Sequence, residues 1–232
     1  MPTRKEVQLY DTYYGEMYMY DNSTTCVIDT ANTYHAVYNS FGNNDATLPP
    51  NNDTANYTFK AGVGYAIASV ATYAGGTQIQ CTVTAGHALL AGEPITITGS
   101  ANYNGMYLVE AVGLTATEFV VAKAYVATNT GSARRPATLK VLNAGVYRAQ
   151  FTTSGVTETP NDVVKFELNK NVTPLDNISA RDIWSSASNY RSSAGSGIIS
   201  VTAGQYVWLS VKNYSGTGDI TIQNANVNLS KN

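Results

Sequence analysis

GVYRAQFTT (145–153) alternates large apolar residues with polar or small ones, and the same alternation runs through DVVKFELNK (162–170), GQYVWLSVK (204–212) and DITIQNANVNL (219–229). Period-two alternation is typical of half-buried antiparallel strands, because successive side chains point to opposite faces of a sheet. Turn-forming Asn, Gly, Pro and Ser residues separate the four segments. The sequence therefore predicts an all-β protein. A sheet protein that lacks a set of catalytic residues usually functions by presenting a binding surface to other molecules.

Two stretches depart from simple alternation. In 219–229 the apolar residues at 220 and 222 have even numbers, whereas those at 225, 227 and 229 have odd numbers. A one-residue register break near Gln223 and Asn224, a β-bulge, would turn all five inward. The stretch LDNISARDIWSSASNYRSS (175–193) has near-helical apolar spacing, but its six serines argue against a helix. We predict a loop and an irregular strand there.

The composition favours a protein with extensive uncharged surface. Apolar residues make up 44% of the 232 residues, enough for a buried core, and charged residues only 13%, about half the usual 25%. The 17 tyrosines far outnumber the 5 phenylalanines. Tyrosine suits strand faces that contact other proteins, but it is also a good strand former, and both interpretations stay open.

Charge and cysteine content exclude several classes of protein. The net charge of −2 and the pI of about 5.6 give no electrostatic footprint for nucleic acid. The only paired arginines, Arg134 and Arg135, are interpreted as an ordinary solvated loop. Cys26 and Cys81 form no metal-binding motif, so we expect free buried thiols from a reducing cytosol. No signal-peptide core or 18-residue apolar run occurs.

Residues 62–136 have a different texture and are predicted to form a small inserted β-barrel. Short strands are divided by glycine-containing turns, and Asn104-Gly105 is predicted as a two-residue hairpin turn because both residues accept positive φ. The segment resembles a small β-barrel module inserted into many phage structural proteins. The residues that carry the resemblance are His87, Gly92, Glu93, Ile95, Ile97, Gly99, Tyr103, Asn104, Gly105 and Phe119 to Val121.

Without that insert, the flanking segments form one strand pattern of about 140 residues. We predict an arm at 1–14, a first jelly-roll part at 15–61 and a second at 137–232. The motif order resembles the trimeric jelly-roll head of the tumour-necrosis-factor and complement-recognition families, which phage virions also carry. The resemblance rests on Ala144 to Tyr147, Phe166, Leu168, Ala203, Gly204, Val207, Leu209, Val211 and Ile220 to Leu229. It implies an antiparallel jelly-roll sandwich, a homotrimer and a place in the virion.

Candidate catalytic and metal-binding residues form no recognisable set. His35 is expected on a strand at a sheet or subunit face, and His87 is expected to cap a turn. The oxygen-rich loops at 43–45 and 51–53 lack EF-hand spacing and are interpreted as turns. No local motif joins the acidic residues that could cleave glycans, Asp162, Glu167, Asp176 and Asp182. We therefore predict that the protein is not an enzyme and has no metal and no cofactor.

The predicted function is structural. We expect a homotrimeric head fibre or capsid decoration protein of a tailed bacteriophage, made in the host cytoplasm and assembled into the virion. Its partner would be the major capsid protein or another virion protein, without nucleic-acid binding or membrane insertion. The 14-residue arm spans at most about 50 Å, which suits an anchor rather than a fibre shaft. Its predicted capsid-anchoring residues are Arg4, Tyr10, Tyr13 and Tyr14.

The trimer interface is predicted at Tyr34, Tyr147, Tyr206 and Trp208, because tyrosine-rich strands with few charges can bury an aromatic face around a threefold axis. The alternative hypothesis is a receptor- or glycan-binding adhesin at a tail fibre or tail tip. For that function Trp184 and Tyr190 are possible surface or glycan contacts. A polysaccharide depolymerase is the third hypothesis.

Overall fold

The computed structural model describes residues 14–19, 24–28, 30–37, 57–184 and 190–231. Within these ranges the chain is all-β and antiparallel, with one short 3-10 turn at Ala74–Gly76. Among the described residues, no helix has the length and apolar character needed to cross a membrane. The predicted fold class, an antiparallel jelly-roll sandwich with an inserted small β-barrel, is confirmed.

Seventeen strands make up the described part of the chain. The N-terminal strands are β1 (Tyr14–Met19), β2 (Thr24–Cys26), β3 (His35–Ala36) and β4 (Tyr57–Lys60). The next six are β5 (Val63–Tyr73), β6 (Gln78–Val83), β7 (Pro94–Thr98), β8 (Gly105–Leu108), β9 (Glu118–Val121) and β10 (Gly131–Arg135). The last seven are β11 (Thr138–Val141), β12 (Gly145–Thr157), β13 (Asp162–Lys170), β14 (Thr173–Trp184), β15 (Arg191–Val201), β16 (Tyr206–Asn213) and β17 (Ile220–Lys231).

Two antiparallel sheets form the sandwich. The front sheet has the order β1-β17-β12-β15, with β2 also paired to β17. The back sheet has the order β14-β13-β16-β11-β4, with β3 also paired to β16. The four segments whose alternation predicted strands are β12, β13, β16 and β17, so that prediction is confirmed. From β11 onward the chain crosses repeatedly between the sheets, as it does in a jelly roll.

The sandwich core lies between the two sheets. Tyr147, Ala149 and Phe151 of β12 are buried, whereas the residues between them are exposed or partly exposed. The same alternation on the facing strands produces one continuous core cluster. Burying each large apolar side chain contributes about 1.5–3 kcal/mol, so period-two alternation accounts for both the strands and their packing.

The predicted β-bulge is present in β17. Ser154 pairs with Asn224, and the next residue, Gly155, pairs with Ile222, so Gln223 is the extra residue. The apolar residues on both sides of the bulge are buried, as the parity change predicted. A Cβ on Gly155 would overlap a backbone carbonyl oxygen of β17. Glycine is therefore required opposite the bulge.

The irregular strand predicted within 175–193 is confirmed, whereas the predicted loop is wrong for residues 175–184 and 191–193. β14 runs to Trp184 and β15 begins at Arg191. β14 pairs with β13 from Trp184 opposite Asp162 to Thr173 opposite Lys170, with one irregularity in the register. Pairing with a neighbouring strand therefore decided the structure where the local pattern was ambiguous.

The insert barrel, defined as β5 to β10, is a separate sheet in the order β8-β7-β10-β5-β6-β9. A bridge between Val109 and Val121 joins the two ends of this sheet and closes it. The barrel has its own core cluster, whose fully buried members include Ile79, Cys81, Ile95, Ile97 and Phe119.

The prediction of a two-residue turn at Asn104-Gly105 is wrong. β7 and β8 pair as far as Ile97 opposite Gly105, so residues 99–104 connect the two strands. The Asn104 side chain closes this longer loop, because its Oδ1 accepts a hydrogen bond of 2.8 Å from the Ser100 amide. Asparagine acts here through its side chain and not through positive φ.

Candidate interaction surfaces

The insert barrel leaves the sandwich through the hairpin of β4 and β11. Lys60 at the end of β4 lies opposite Thr138 at the start of β11. The chain therefore enters and leaves the barrel at neighbouring points of the back sheet.

Arg134 and Arg135 lie at this junction and are buried, so the prediction of a solvated loop is wrong. Their exposed fractions are only 6% and 7%. Arg134 Nη1 donates a 3.0 Å hydrogen bond to the Val27 carbonyl and lies 3.5 Å from His35 Nδ1. The guanidinium thus supplies donors where two folded parts meet, and this environment stabilises a buried charge.

Arg135 connects three chain segments at the same junction. It donates hydrogen bonds to the carbonyls of Ala88 (3.1 Å) and Ala61 (2.9 Å), and Nη1 lies 3.7 Å from Glu93 Oε2. Glu93 is 1% exposed and also pairs with the Lys60 ammonium. The buried carboxylate therefore has cationic partners from β4 and from the barrel.

Thr30 of the sandwich binds the loop between β7 and β8. Its Oγ1 accepts hydrogen bonds from the Gly99 amide (3.3 Å) and from Asn104 Nδ2 (3.2 Å). Its carbonyl accepts from His35 Nε2 at 3.0 Å. Met106 of the barrel also packs against the sandwich core. The barrel is thus held by side-chain contacts and not only by its two chain connections.

The outer face of the front sheet is polar and almost uncharged. Arg148 and Glu16 are the charged side chains on the described part of this face, and Val146 and Ile198 are exposed apolar ones. The other outward side chains are small or neutral: Gln150, Thr152, Ser154, Ser192, Ala194, Ser196, Ser200, Asn224, Asn226 and Asn228.

Hydrogen bonds hold the asparagines of this face in place. Asn228 donates to Asn226, which donates to Glu16. Asn224 donates to Ser154 at 3.1 Å. Because each amide is fixed by its neighbour, the face presents an ordered polar surface and loses less conformational entropy on contact than long, free side chains would.

A second polar cluster lies on the back sheet. Tyr34 donates a 2.5 Å hydrogen bond to Glu167 Oε2, and Lys165 Nζ lies 2.9 Å from Glu167 Oε2 and 2.9 Å from Asp176 Oδ1. The Glu167 side chain is fully buried, and its Oε1 has no hydrogen-bond partner. Two of the acidic residues considered for glycan cleavage therefore share one lysine.

The pKa values of this cluster favour the ion pair of Lys165 with Asp176. Burial raises the pKa of Tyr34, and the hydrogen bond to Glu167 raises it further. Burial alone would lower the pKa of Lys165, but hydrogen bonds to Asp176 and Glu167 outweigh it and raise that pKa. The hydrogen bond from Lys165 lowers the pKa of Asp176. Asp176 is therefore held in its charged form, whereas a general acid must hold a proton.

Three of the predicted trimer-interface residues are buried inside the protomer, and the prediction is wrong for them. Tyr147 and Trp208 are 0% exposed and Tyr206 is 7% exposed. Tyr147 faces the core on β12, where its ring contacts Tyr57 edge-on. Trp208 Nε1 donates to the Asn171 carbonyl at 2.6 Å. Side chains with so little exposed surface have almost no area left to bury against another subunit.

Trp184 is also buried, so the prediction of a surface or glycan contact is wrong for it. It is 0% exposed and packs on Phe166 with 5.4 Å between ring centroids. Tyr190, the other predicted contact, is 60% exposed. Tyr34 is partly exposed and belongs to the lysine-centred cluster.

The anchoring residues Arg4, Tyr10 and Tyr13 lie outside the described residues, as do the loops at 43–45 and 51–53. Tyr14 opens β1, where its backbone pairs with Ser230.

The histidines and cysteines have structural surroundings. His87 caps its turn, as predicted, because its Nδ1 accepts from the Leu89 amide at 3.3 Å. His35 is fully buried beside β16. Cys26 and Cys81 are free, and burial raises the pKa of each thiol to about 12. Across the described ranges, no group of three or more His, Cys, Asp or Glu side chains could hold a metal ion.

Sequence reasoning missed the junction and the ordered front-sheet face. A signal for the junction was present, because Arg134 and Arg135 stand beside Pro136 at the predicted end of the insert. In a chain with few charges, two adjacent arginines at a boundary need partners. The front-sheet face had no such signal, since it emerges only when the strand order is known.

The geometry defines an antiparallel jelly-roll sandwich that carries a closed β-barrel in one hairpin. No family model matches this chain, and no curated protein matches it. Among solved structures, Eiger TNF from S. frugiperda is similar, with 13% identity, a TM-score of 0.34 and coverage of 73% of this chain and 92% of that chain. Rabbit GITRL is similar with 17% identity, a TM-score of 0.24 and coverage of 41% and 70%. No functional inference follows from either similarity.

Proposed function

We propose that this chain is a non-enzymatic structural protein of a bacteriophage virion, a homotrimeric head fibre or capsid decoration protein. The virion assignment is supported by the resemblance of residues 62–136 to barrel modules of phage structural proteins. The absence of enzymatic activity is supported by the ion-paired state of the carboxylates around Lys165.

The observation that carries the proposal is the outer face of the front sheet. β12 pairs along its length with both β17 and β15. Eleven paired residues on each of β17, β12 and β15 and six on β1, at about 3.3 Å per residue and about 4.8 Å per strand, give a face of about 600 Å². This is about three quarters of the roughly 800 Å² that each partner buries in a standard interface. The face is ordered and nearly uncharged, so a second copy can cover it at a lower desolvation cost than a charged face would carry.

In such a trimer the front sheets face one another and the back sheets face solvent. The barrel leaves through β4 and β11 of the back sheet, so it projects away from the subunit contacts. The contacts of Arg134, Arg135 and Thr30 fix its direction. The assembly then presents three barrels in a defined orientation.

Sedimentation equilibrium of the purified protein tests the assembly. We expect three times the chain mass of 24.8 kDa. Thr152→Lys adds a charge to the centre of the front-sheet face and should shift the population to monomer. The matched control, Thr72→Lys, makes the same substitution at an exposed position of β5 and should stay trimeric. A monomeric wild type, or a trimeric Thr152→Lys variant, would refute the proposed interface.

Antibody labelling of purified phage particles tests the virion location. We expect the label on the capsid surface in wild-type particles and its loss when residues 1–13 are deleted, a deletion that leaves β1 complete. The truncated protein should still sediment as a trimer, because the front-sheet face is intact. Label confined to the tail would instead favour the adhesin.

The adhesin alternative keeps one supporting observation, the 60% exposure of Tyr190. An exposed tyrosine ring can stack on a sugar. Saturable binding to a glycan array that Tyr190→Ala abolishes would favour this function over a passive decoration.

A further inference from the structure

The outer face of the back sheet carries three basic side chains in one line. Arg181 of β14 lies directly opposite Lys165 of β13, which lies directly opposite Lys212 of β16. Adjacent strands are about 4.8 Å apart. Like charges directly opposite each other destabilise a sheet, so this row needs compensation within the protein or from a partner.

The compensation within the protein reaches only the middle charge. Glu167 and Asp176 each lie 2.9 Å from Lys165 Nζ. Within the described ranges, Arg181 and Lys212 make no ion pair with a carboxylate. The two outer positions of the row are therefore open to an anion from another molecule.

Tyrosine rings hold these two cations in fixed positions. The Arg181 guanidinium lies 4.5 Å from the centre of the Tyr214 ring, and Lys212 Nζ lies 4.6 Å from the same ring. Lys212 Nζ also lies 4.8 Å from the centre of the Tyr34 ring. Cation–π contacts of this kind restrict long side chains before a partner arrives, which lowers the entropic cost of binding.

An apolar pair adjoins the row on the same face. Val163 of β13 lies opposite Ile183 of β14, two residues from the pair formed by Lys165 and Arg181. Ile183 is 55% exposed. Binding hot spots in protein interfaces are enriched in arginine and tyrosine and often include an apolar side chain beside them.

We propose that this face docks an acidic segment of a partner protein. Carboxylates of the partner bind Arg181 and Lys212, and an apolar residue next to the carboxylate on Arg181 covers Ile183, which lies two residues along β14. Among the described residues of this row, the rings of Tyr214 and Tyr34 are already in contact with the two cations, which favours a protein over a polysaccharide. The face is on the opposite side of the sandwich from the proposed trimer contact, so both can be used together.

Fluorescence anisotropy with two labelled peptides tests the proposal. The first peptide, Glu-Leu-Glu-Ser-Glu-Leu-Glu, supplies alternating carboxylates and apolar residues. In the second, glutamine replaces every glutamate. We expect the acidic peptide to bind the full-length protein at least tenfold more tightly than the neutral one, with an affinity that falls as salt is raised.

Charge-reversal variants identify the surface. R181E/K212E should weaken binding of the acidic peptide at least tenfold, whereas Lys123→Glu, the same kind of change on the insert barrel, should not. If R181E/K212E does not fold, as judged by its melting curve, R181Q/K212Q replaces it with the same expectation.

Three results would overturn the proposal: equal binding of both peptides, unchanged binding by the folded double variant, or binding of alginate, a polyuronate, without binding of the acidic peptide. The last result would assign the row to an anionic polysaccharide. Because the sedimentation test does not involve this face, failure here leaves the trimer proposal standing.

Discussion

Replacing Arg135 by methionine tests how firmly the junction holds the insert barrel. The change removes hydrogen bonds to the carbonyls of Ala61 and Ala88 and the ion pair with Glu93. Each hydrogen bond to a charged group is worth about 1.5–3 kcal/mol. Methionine retains most of the buried apolar volume, and Glu93 retains Lys60. We therefore expect a loss of about 3–5 kcal/mol of unfolding free energy.

Calorimetry measures the loss directly. In a chain of this size each kcal/mol shifts the melting temperature by about 2–4 °C, so the transition should fall by about 6–20 °C. Arg135→Lys should be intermediate, because an ammonium can pair with Glu93 but cannot reach both carbonyls as a planar guanidinium does. Lys123→Met, which removes a charge from the barrel away from the junction, should change the melting temperature little.

Small-angle scattering adds a geometric measurement. If the arginine pair fixes the barrel, Arg135→Met should broaden the distance distribution between barrel and sandwich below the melting transition. The reasoning is refuted if Arg135→Met melts within about 2 °C of the wild type, a threshold of about 1 kcal/mol. A scattering curve unchanged from the wild type would equally contradict the role of Arg135 in orientation.

Three further predictions concern single sites. Gly155→Ala should lower the free energy of unfolding by about 1–3 kcal/mol, because the added Cβ meets backbone atoms opposite the bulge. Gly216→Ala is the control and should leave the free energy of unfolding almost unchanged, because a Cβ there has open space. Equal urea midpoints for the two variants would contradict this prediction. Tyr34→Phe should lower the free energy of unfolding by about 1–3 kcal/mol, because it removes one hydrogen-bond donor from the buried Glu167 carboxylate. A melting temperature equal to that of the wild type would contradict this prediction. Both cysteine thiols have a folded pKa raised to about 12 against about 8.5 unfolded, so the unfolded chain loses these protons first and stability should fall as pH rises above about 8.5. Urea titrations at several alkaline pH values should give a smaller fall when both cysteines are alanine, and parallel curves would refute the assignment.

Local alternation was sufficient to predict β12, β13, β16 and β17, because the period of a strand is visible in its own residues. It was also sufficient for the bulge at Gln223, since a change of parity within one apolar segment indicates an extra residue at that point. These features depend on neighbours within the same segment, and for that reason they could be found without the rest of the molecule.

The predictions about exposure failed where a distant segment decides the outcome. Trp208 stands on the alternate parity of β16, yet it is fully buried and donates to the carbonyl of Asn171. Trp184 looked like a surface aromatic in a serine-rich stretch, but β13 pairs with it and Phe166 packs on it. Parity gives the face of a strand and does not reveal what covers that face.

The polar surfaces of the two sheets could not be predicted from the sequence for a related reason. Arg181, Lys165 and Lys212 are far apart in sequence, and they form a row only through the register of three strands. The asparagines of β17 alternate regularly, but the hydrogen bond from Asn226 to Glu16 depends on the pairing of the first strand with the last. Strand order and register therefore carry the information about surfaces that composition lacks.

The adjacency of Lys60 and Thr138 has a practical consequence for engineering. Cross-strand neighbours of this kind have Cα atoms about 5 Å apart, so any compact passenger whose own ends are close could be grafted in place of residues 62–136. Loop-closure entropy rises only slowly with the length of the inserted chain, and β4 and β11 pair with each other within the back sheet. Another compact domain could therefore replace the insert barrel while the sandwich is kept.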